Sequence, residues 1–226
     1  MLPQLELPLE AGRERVQGVY RTISSVWEGE DSELLRAMLD FYPRRPPELI
    51  LDATFNEGRF WRGNGRRAVG LDIDVTYRPD IVGDSNHLPF KSSAFDVVVY
   101  DPPHVPNQGT DKTKDFNTRF GLKLKSSKEN GYNFAHTYPP FMREAYRVLK
   151  PEGVLFCKIS DYVHNHQFQW AHIDVIKAAV EVSFCACDCI VKIRKDPIVD
   201  PKWKEAHHAR KRHCYWLVFR KSRKCE

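Results

Sequence analysis

The chain has 226 residues, of which 42% are hydrophobic and 29% charged. This is enough for one α/β domain with a sizeable core and too little for a comfortable pair, and it excludes a disordered chain. The formal net charge of +5 is only mildly basic, so its distribution says more about partners than its size.

No apolar run approaches the roughly 18 to 20 residues of a membrane helix. The opening MLPQLELPLE has neither the basic nor the apolar region of a signal peptide, so a cytoplasmic address is expected. Residues 1–30 show little periodicity and are expected to wrap over the body. Asp31 and Ser32 offer a helix cap. Leu34, Leu35, Met38 and Leu39 then fall on one helical face, and Pro43 ends the helix. Trp27 is either a packing anchor or part of a lid. Residues 1–47 are read as an extension packing on a main domain, residues 48–226.

Residues 48–51 (ELIL) predict a strand that ends at Asp52, followed by ATFNEGRFW. A strand, a carboxylate and a small-residue turn form the pattern of a nucleotide-type cofactor loop, although an ordinary β-turn reads the same way. Gly58 is the lone glycine of that turn. Asn56 is expected to take a left-handed conformation in place of a second one, because Asn tolerates it better than most residues.

Residues 66–71 predict a second strand closing on Asp72, Ile73 and Asp74. A carboxylate there can accept both hydrogen bonds of a ribose diol, and the interval from Asp52 suits that role. Only about a turn of helix fits between the two strands, since Gly63-Asn64-Gly65 interrupts it. Residues 80–84 predict a third strand, followed by Asp84 and Ser85. Asp84 either accepts from an adenine amino group or caps a turn.

The central strand is FDVVVY, residues 95–100, and it runs into Asp101-Pro102-Pro103-His104. This is a rigid polar corner at a strand's carboxyl edge, where open α/β sheets bind ligands. Residues 105–137 look like a long loop, either a functional lid or a disordered segment. Its basic part, residues 109–132, interleaves Lys112, Lys114, Arg119, Lys123, Lys125 and Lys128 with Phe116, Phe120 and Tyr132. With the basic C-terminus (Arg210 to Arg212, Arg220 to Lys224), that composition suits nucleic acid, or else a solvated surface.

A helix is predicted over 139–150, a turn over 151–153 and a strand over 154–159 that stops at Ser160-Asp161. An amphipathic helix over 167–182 and strands over 184–194 and 213–221 complete the chain. The last two strands lack a helical crossover, so an antiparallel edge is expected. The fold class is α/β: a three-layer Rossmann-like sandwich with a mostly parallel seven-stranded sheet and an antiparallel terminal strand.

Of the six cysteines, Cys185, Cys187 and Cys189 alternate along one strand. They are expected to face one way, buried and reduced. Neither they nor the histidines at 164, 166, 172, 207, 208 and 213 show metal-ligand spacing, so no metal is expected.

Taken together, residues 48–221 resemble a class I methyltransferase domain dependent on S-adenosyl-L-methionine (AdoMet), close to the N6-adenine and N4-cytosine DNA methylase family. That family's Asp-Pro-Phe-x-Gly-Ser-Gly loop is matched by Asp52-Ala53-Thr54-Phe55-Asn56-Glu57-Gly58, and the ending RHCYWLVFRK is similar to its terminal strand. The resemblance implies AdoMet as cofactor, held by Asp52, Ala53, Thr54, Asn56 and Gly58. It implies that Asp72 and Ile73 meet the ribose and that Asp84 and Ser85 meet the adenine. Asp101, Pro102, Pro103 and His104 would form the catalytic motif and act on DNA.

The chain departs from the family at Asn56, at His104 in place of a larger aromatic, and in lacking room for a target-recognition domain. An RNA base, a glutamine amide, or a non-catalytic nucleic-acid-binding role are the alternatives. An exocyclic amine is a poor nucleophile because its lone pair is conjugated. The Asp101 carboxylate and the Pro102 carbonyl would accept its two N–H bonds, while His104 would stack on the base.

Overall fold

The computed structural model describes residues 22–103, 138–164, 167–194, 208–222 and 224–225. His104, the whole of loop 109–132 with its flanks, and residues 1–21 of the extension lie outside that set.

The main sheet has eight strands: β1 (Val26–Trp27), β2 (Ile50–Asp52), β3 (Val69–Asp72), β4 (Ile81–Val82), β5 (Phe95–Tyr100), β6 (Leu149–Ile159), β9 (Cys185–Ile193) and β10 (His213–Arg220). Their spatial order is β1-β9-β10-β6-β5-β2-β3-β4. Pairings from β4 through β6 are parallel, β10 is antiparallel to both β6 and β9, and β1 is parallel to β9. The seven expected strands are present, and β1 is an addition at the edge. It lies in the segment expected only to wrap over the body. A separate hairpin, β7 (Tyr162–His164) with β8 (Gln167–Gln169), rises from the carboxyl end of β6.

Helices cover both faces. Helix α1 (Asp31–Phe41) lies on one; α2 (Tyr138–Val148) and α3 (Ala171–Glu181) lie on the other. The period-two alternation of β5 builds both layers at once. Val97 and Val99 pack with Leu34, Leu35, Met38, Leu39 and Trp216. Val98 and Tyr100 pack with Phe141, Met142, Ala145 and Val175. The β2–β3 and β3–β4 connections hold only short 3-10 turns, Arg59–Trp61 and Val75–Tyr77. This is the Rossmann-like α/β fold, and among the described residues no helix is long and apolar enough to cross a membrane.

Three local expectations are corrected. Glu30, not Asp31, stands at the N-cap of α1, with Glu33 accepting from the Glu30 amide at 3.3 Å. Asp31 is thereby released to point elsewhere. Helix α3 starts at Ala171, not at 167. Gln167–Gln169 pairs with Tyr162–His164, and the buried carboxylate of Asp161 accepts from the His172 amide at the helix start. Finally, the three alternating cysteines do not share an environment. A register shift opposite Val218 and Phe219 skips Cys187, so the alternation breaks there. Cys185 is buried and disulfide-bonded to Cys225, Cys187 is exposed, and Cys189 is intermediate.

Candidate active site

The carboxyl ends of β2, β3, β4 and β5 bring the sequence-predicted residues onto one edge. Asp52 is fully buried there. Its Oδ1 accepts from the Thr54 amide at 3.1 Å and its Oδ2 from the Trp61 indole at 2.7 Å. Burial pushes the carboxyl up to about 7; the Trp61 and Thr54 bonds oppose that rise, and the charges of Asp101 and Asp72 add to it. Through one bond at each oxygen, Asp52 organises the loop from beneath.

The loop itself is shaped as its residues require. Asn56 has φ +48° and Gly58 φ +63°, so Asn56 does take the left-handed conformation. Phe55 fills the space under the turn: a Cβ added at Gly70 would lie 2.5 Å from its ring, and one at Gly58 2.8 Å. The Asn56 amide donates to Asp72 Oδ2 at 2.7 Å, and the Asp74 amide to Asp72 Oδ1 at 2.9 Å. These two bonds fix the Asp72 carboxylate while leaving each oxygen further acceptor capacity. Ile73 beside it is 48% exposed, an apolar surface at the rim of the site.

After β4, Asp84 caps its own turn, accepting from the Asn86 amide at 2.8 Å. The following segment is clamped by α2. Arg147 donates to the carbonyls of Phe90 at 2.7 Å and Leu88 at 2.9 Å, and Glu144 accepts from the Leu88 amide at 2.8 Å. The side chains of Asp84 and Arg147 thus hold the two ends of one connection.

Asp101 joins the two halves of the edge. Its amide donates to Thr54 Oγ1 at 2.7 Å, tying the Asp-Pro-Pro corner to the loop after β2. Its carboxylate stands 3.5 Å from Lys158 Nζ, whose side chain is only 12% exposed. Lys158 also meets Asp31 at 2.9 Å and sits over the rings of Phe60 and Trp216. Burial alone would lower the Lys158 ammonium; the Asp101 and Asp31 carboxylates outweigh it and hold the group above its ordinary range. Asp31 further accepts from the Trp216 indole at 3.0 Å.

The sequence does not single out Lys158 or Trp61, and it offers Asp31 only as a helix cap. The one available signal was Lys158 itself, a lone charge inside the apolar strand LFCKIS, which must find partners if buried. Nothing local to Asp31 distinguishes it from a first-turn helix residue.

The cradle fits an AdoMet-like group. Oδ1 of Asn56 and Oδ1 of Asn86 are buried with no hydrogen-bond partner among the described residues. They belong to the loops after β2 and β4, on either side of Asp72. Orphaned buried acceptors call for donors, and AdoMet brings hydroxyl, amino and ammonium donors. S-Adenosyl-L-methionine is the cofactor that these loops and this fold suit.

Comparison with known proteins agrees at the level of fold. No family model matches the chain. Three curated relatives, the ubiquinone/menaquinone biosynthesis C-methyltransferase UbiE from three strains of Cereibacter sphaeroides, are 27% identical, with the match covering 70% of this chain. The chain spans 61% of the length of those relatives. A SAM-dependent methyltransferase from Methanosarcina mazei superposes with a TM-score of 0.51 at 13% identity, covering 84% of this chain and 98% of that one. The BH2331 protein of Bacillus halodurans C-125 gives 0.54 at 14% identity, covering 83% and 98%. At such identities the likeness speaks for the fold alone, and the fold is that of the class I methyltransferases.

Proposed function

We propose that this chain is an AdoMet-dependent methyltransferase acting on the exocyclic amino group of a nucleic-acid base, N6 of adenine or N4 of cytosine, with DNA favoured over RNA. One observation carries the reading: the Asp101-Pro102-Pro103 corner stands at the carboxyl end of the central strand, hydrogen-bonded directly to the cofactor loop through Thr54 Oγ1.

Residues Asn56, Gly58 and Asp72 would hold AdoMet with Ala53, Thr54 and Ile73, and Asp84 and Ser85 would bound its far end. When bound, AdoMet supplies an electrophilic methyl group. The protein's own task is to present the amine. Asp101 accepts one N–H and the Pro102 carbonyl the other, which draws the nitrogen toward tetrahedral geometry and frees its lone pair. Two prolines keep the corner from relaxing. Lys158 holds the Asp101 carboxylate in place from the α1 side. His104 follows as the residue against which the base stacks. A duplex base must leave the stack to reach the corner, at a cost of roughly a few kcal/mol that a single strand avoids.

A second reading draws support from the Cereibacter sphaeroides relatives, which are named C-methyltransferases: transfer to a ring carbon of a small aromatic acceptor. Incubation with methyl-labelled AdoMet and, separately, DNA, RNA, bulk protein and hydroxylated aromatic acceptors, then digestion and mass spectrometry, tests both. Label in N6-methyladenosine or N4-methylcytidine, as deoxy- or ribonucleoside, is expected. Label only in a C-methylated aromatic product would replace the first reading with the second.

A further inference from the structure

The β7–β8 hairpin and the start of α3 carry a row of aromatic rings that the cofactor and the Asp101 corner do not use. Phe168 and Trp170 meet edge to face at 4.6 Å between centroids, and Trp170 and His172 at 6.1 Å. His172 stacks on Tyr215 at 4.4 Å and 30°. The row stands at the carboxyl end of β6. By register Cys157 of β6 faces Tyr100 of β5, so Ser160 and Asp161 emerge on the same edge as Asp101 and Pro102.

The inner end of the row is rigid. His172 Nδ1 lies 2.7 Å from the Asp161 carboxylate, whose side chain is 3% exposed. Asp161 also accepts from the Tyr215 hydroxyl at 3.4 Å, and the His213 ring meets that hydroxyl at 3.0 Å. The outer end is open. Trp170 is 56% exposed, a large cost for an indole with no role. Lys211 Nζ sits 4.0 Å over the Phe168 ring, and Arg210 and Arg212 beside it are exposed.

Rings of fixed orientation flanked by cations are what a single strand of nucleic acid requires. Every base has a π face to stack, whatever its identity, and its phosphates need positive charge within a few ångströms. We propose that Trp170, with Phe168 and Lys211, is a stacking platform for an unpaired nucleotide next to the one delivered to Asp101. The inference rests on the nucleic-acid reading and deepens it. It makes the substrate a single-stranded or locally opened strand, and it gives the hairpin a part in recognising it.

The test uses the full chain and fluorescently labelled 12-nucleotide DNA and RNA strands, with the matched duplexes alongside. Binding is read by polarisation over a range of salt concentrations, and AdoMet binding by calorimetry. Stacking at roughly 1–3 kcal/mol per base corresponds to about 5- to 150-fold, so Trp170→Ala should weaken single-strand binding about tenfold or more. Trp170→Phe, which keeps a ring, should stay within about threefold of wild type. Lys211→Gln should lower the salt slope by about 0.7 for one lost phosphate contact.

AdoMet affinity should be unchanged in all three variants. Wild-type affinity in Trp170→Ala, or a preference for duplex over single strand, would overturn the platform even where methyl transfer to nucleic acid persists. Should wild type methylate no nucleic acid while Trp170→Ala still loses single-strand binding, the platform stands and the catalytic reading falls.

Discussion

The amide of Asp101 donates to the hydroxyl of Thr54 at 2.7 Å, across 47 residues of sequence. The corner that would hold the methyl acceptor and the loop that would hold the methyl donor are therefore one hydrogen-bonded unit. Thr54→Val keeps the shape and removes the acceptor. We expect a loss of about 1–2 kcal/mol of stability, the usual result of orphaning a part-buried donor, and a fall in kcat larger than any rise in the AdoMet KM. Urea unfolding and steady-state kinetics would read both, and an unchanged kcat would mean that the two loops are not coupled in catalysis.

Asp101→Ala removes the carboxylate acceptor while Thr54 still receives the backbone N–H. Methyl transfer should drop roughly 100- to 1,000-fold, the range for losing one preorganised polar group, with the AdoMet dissociation constant moving less than threefold. Transfer near the wild-type rate in this variant would remove the mechanism.

Lys158→Met takes the cation away from two carboxylates, Asp31 at 2.9 Å and Asp101 at 3.5 Å. Taking the buried cation from two part-buried carboxylates should cost about 2 kcal/mol, less than in a fully buried pair, because Lys192 still stands 4.0 Å from Asp31. Removing Asp31 as well, by Asp31→Asn in the same chain, should recover part of that loss, because the two residues share one network. Additive losses in chemical denaturation would mean that they act independently.

Asp52 sets a pH dependence. Its carboxyl is raised from 3.8 to about 7, chiefly by burial. A folded-state value above the unfolded one means that the folded state binds the extra proton between these limits. The stability owed to Asp52 is thus fully present below about pH 4 and is lost as pH rises through about 7. The difference in unfolding free energy between wild type and Asp52→Asn should shift against wild type by about 3 kcal/mol from pH 5 to pH 8. A flat difference would show that Asp52 stays ionised in the fold.

Asn56 separates conformation from contact. At φ +48°, Asn56→Gly relieves the backbone but deletes the orphaned amide oxygen, while Asn56→Ala deletes the oxygen and adds about 1 kcal/mol or more of strain. If the oxygen contacts AdoMet, both variants should bind it more weakly in calorimetry, and Ala alone should also unfold earlier. Unaltered AdoMet affinity in Asn56→Gly would remove Asn56 from the cofactor site.

Much of the architecture was legible in the chain because it is written in local periods. The two-residue alternation of β5 and the 3.6-residue spacing of Leu34, Leu35, Met38 and Leu39 each declare a buried face without reference to any other segment. The left-handed Asn56 follows from its own side chain and its place in a tight turn. The turn that interrupts the helix between β2 and β3 announces itself through Gly63, Asn64 and Gly65.

What the chain could not declare is which charges meet. Asp31 looks like a helix cap until the fold carries it across 127 residues to Lys158. Cys185 looks like its neighbour Cys187 until a bulge separates them and Cys225 comes within bonding reach. Residues 167–170 read as the first turn of a helix until Tyr162–His164 offers a strand to pair with. Each of these depends on partners distant in sequence. Periodicity reports the environment of a residue, buried or exposed, while an ion pair, a disulfide or a strand register is a property of two segments and exists only once both are placed.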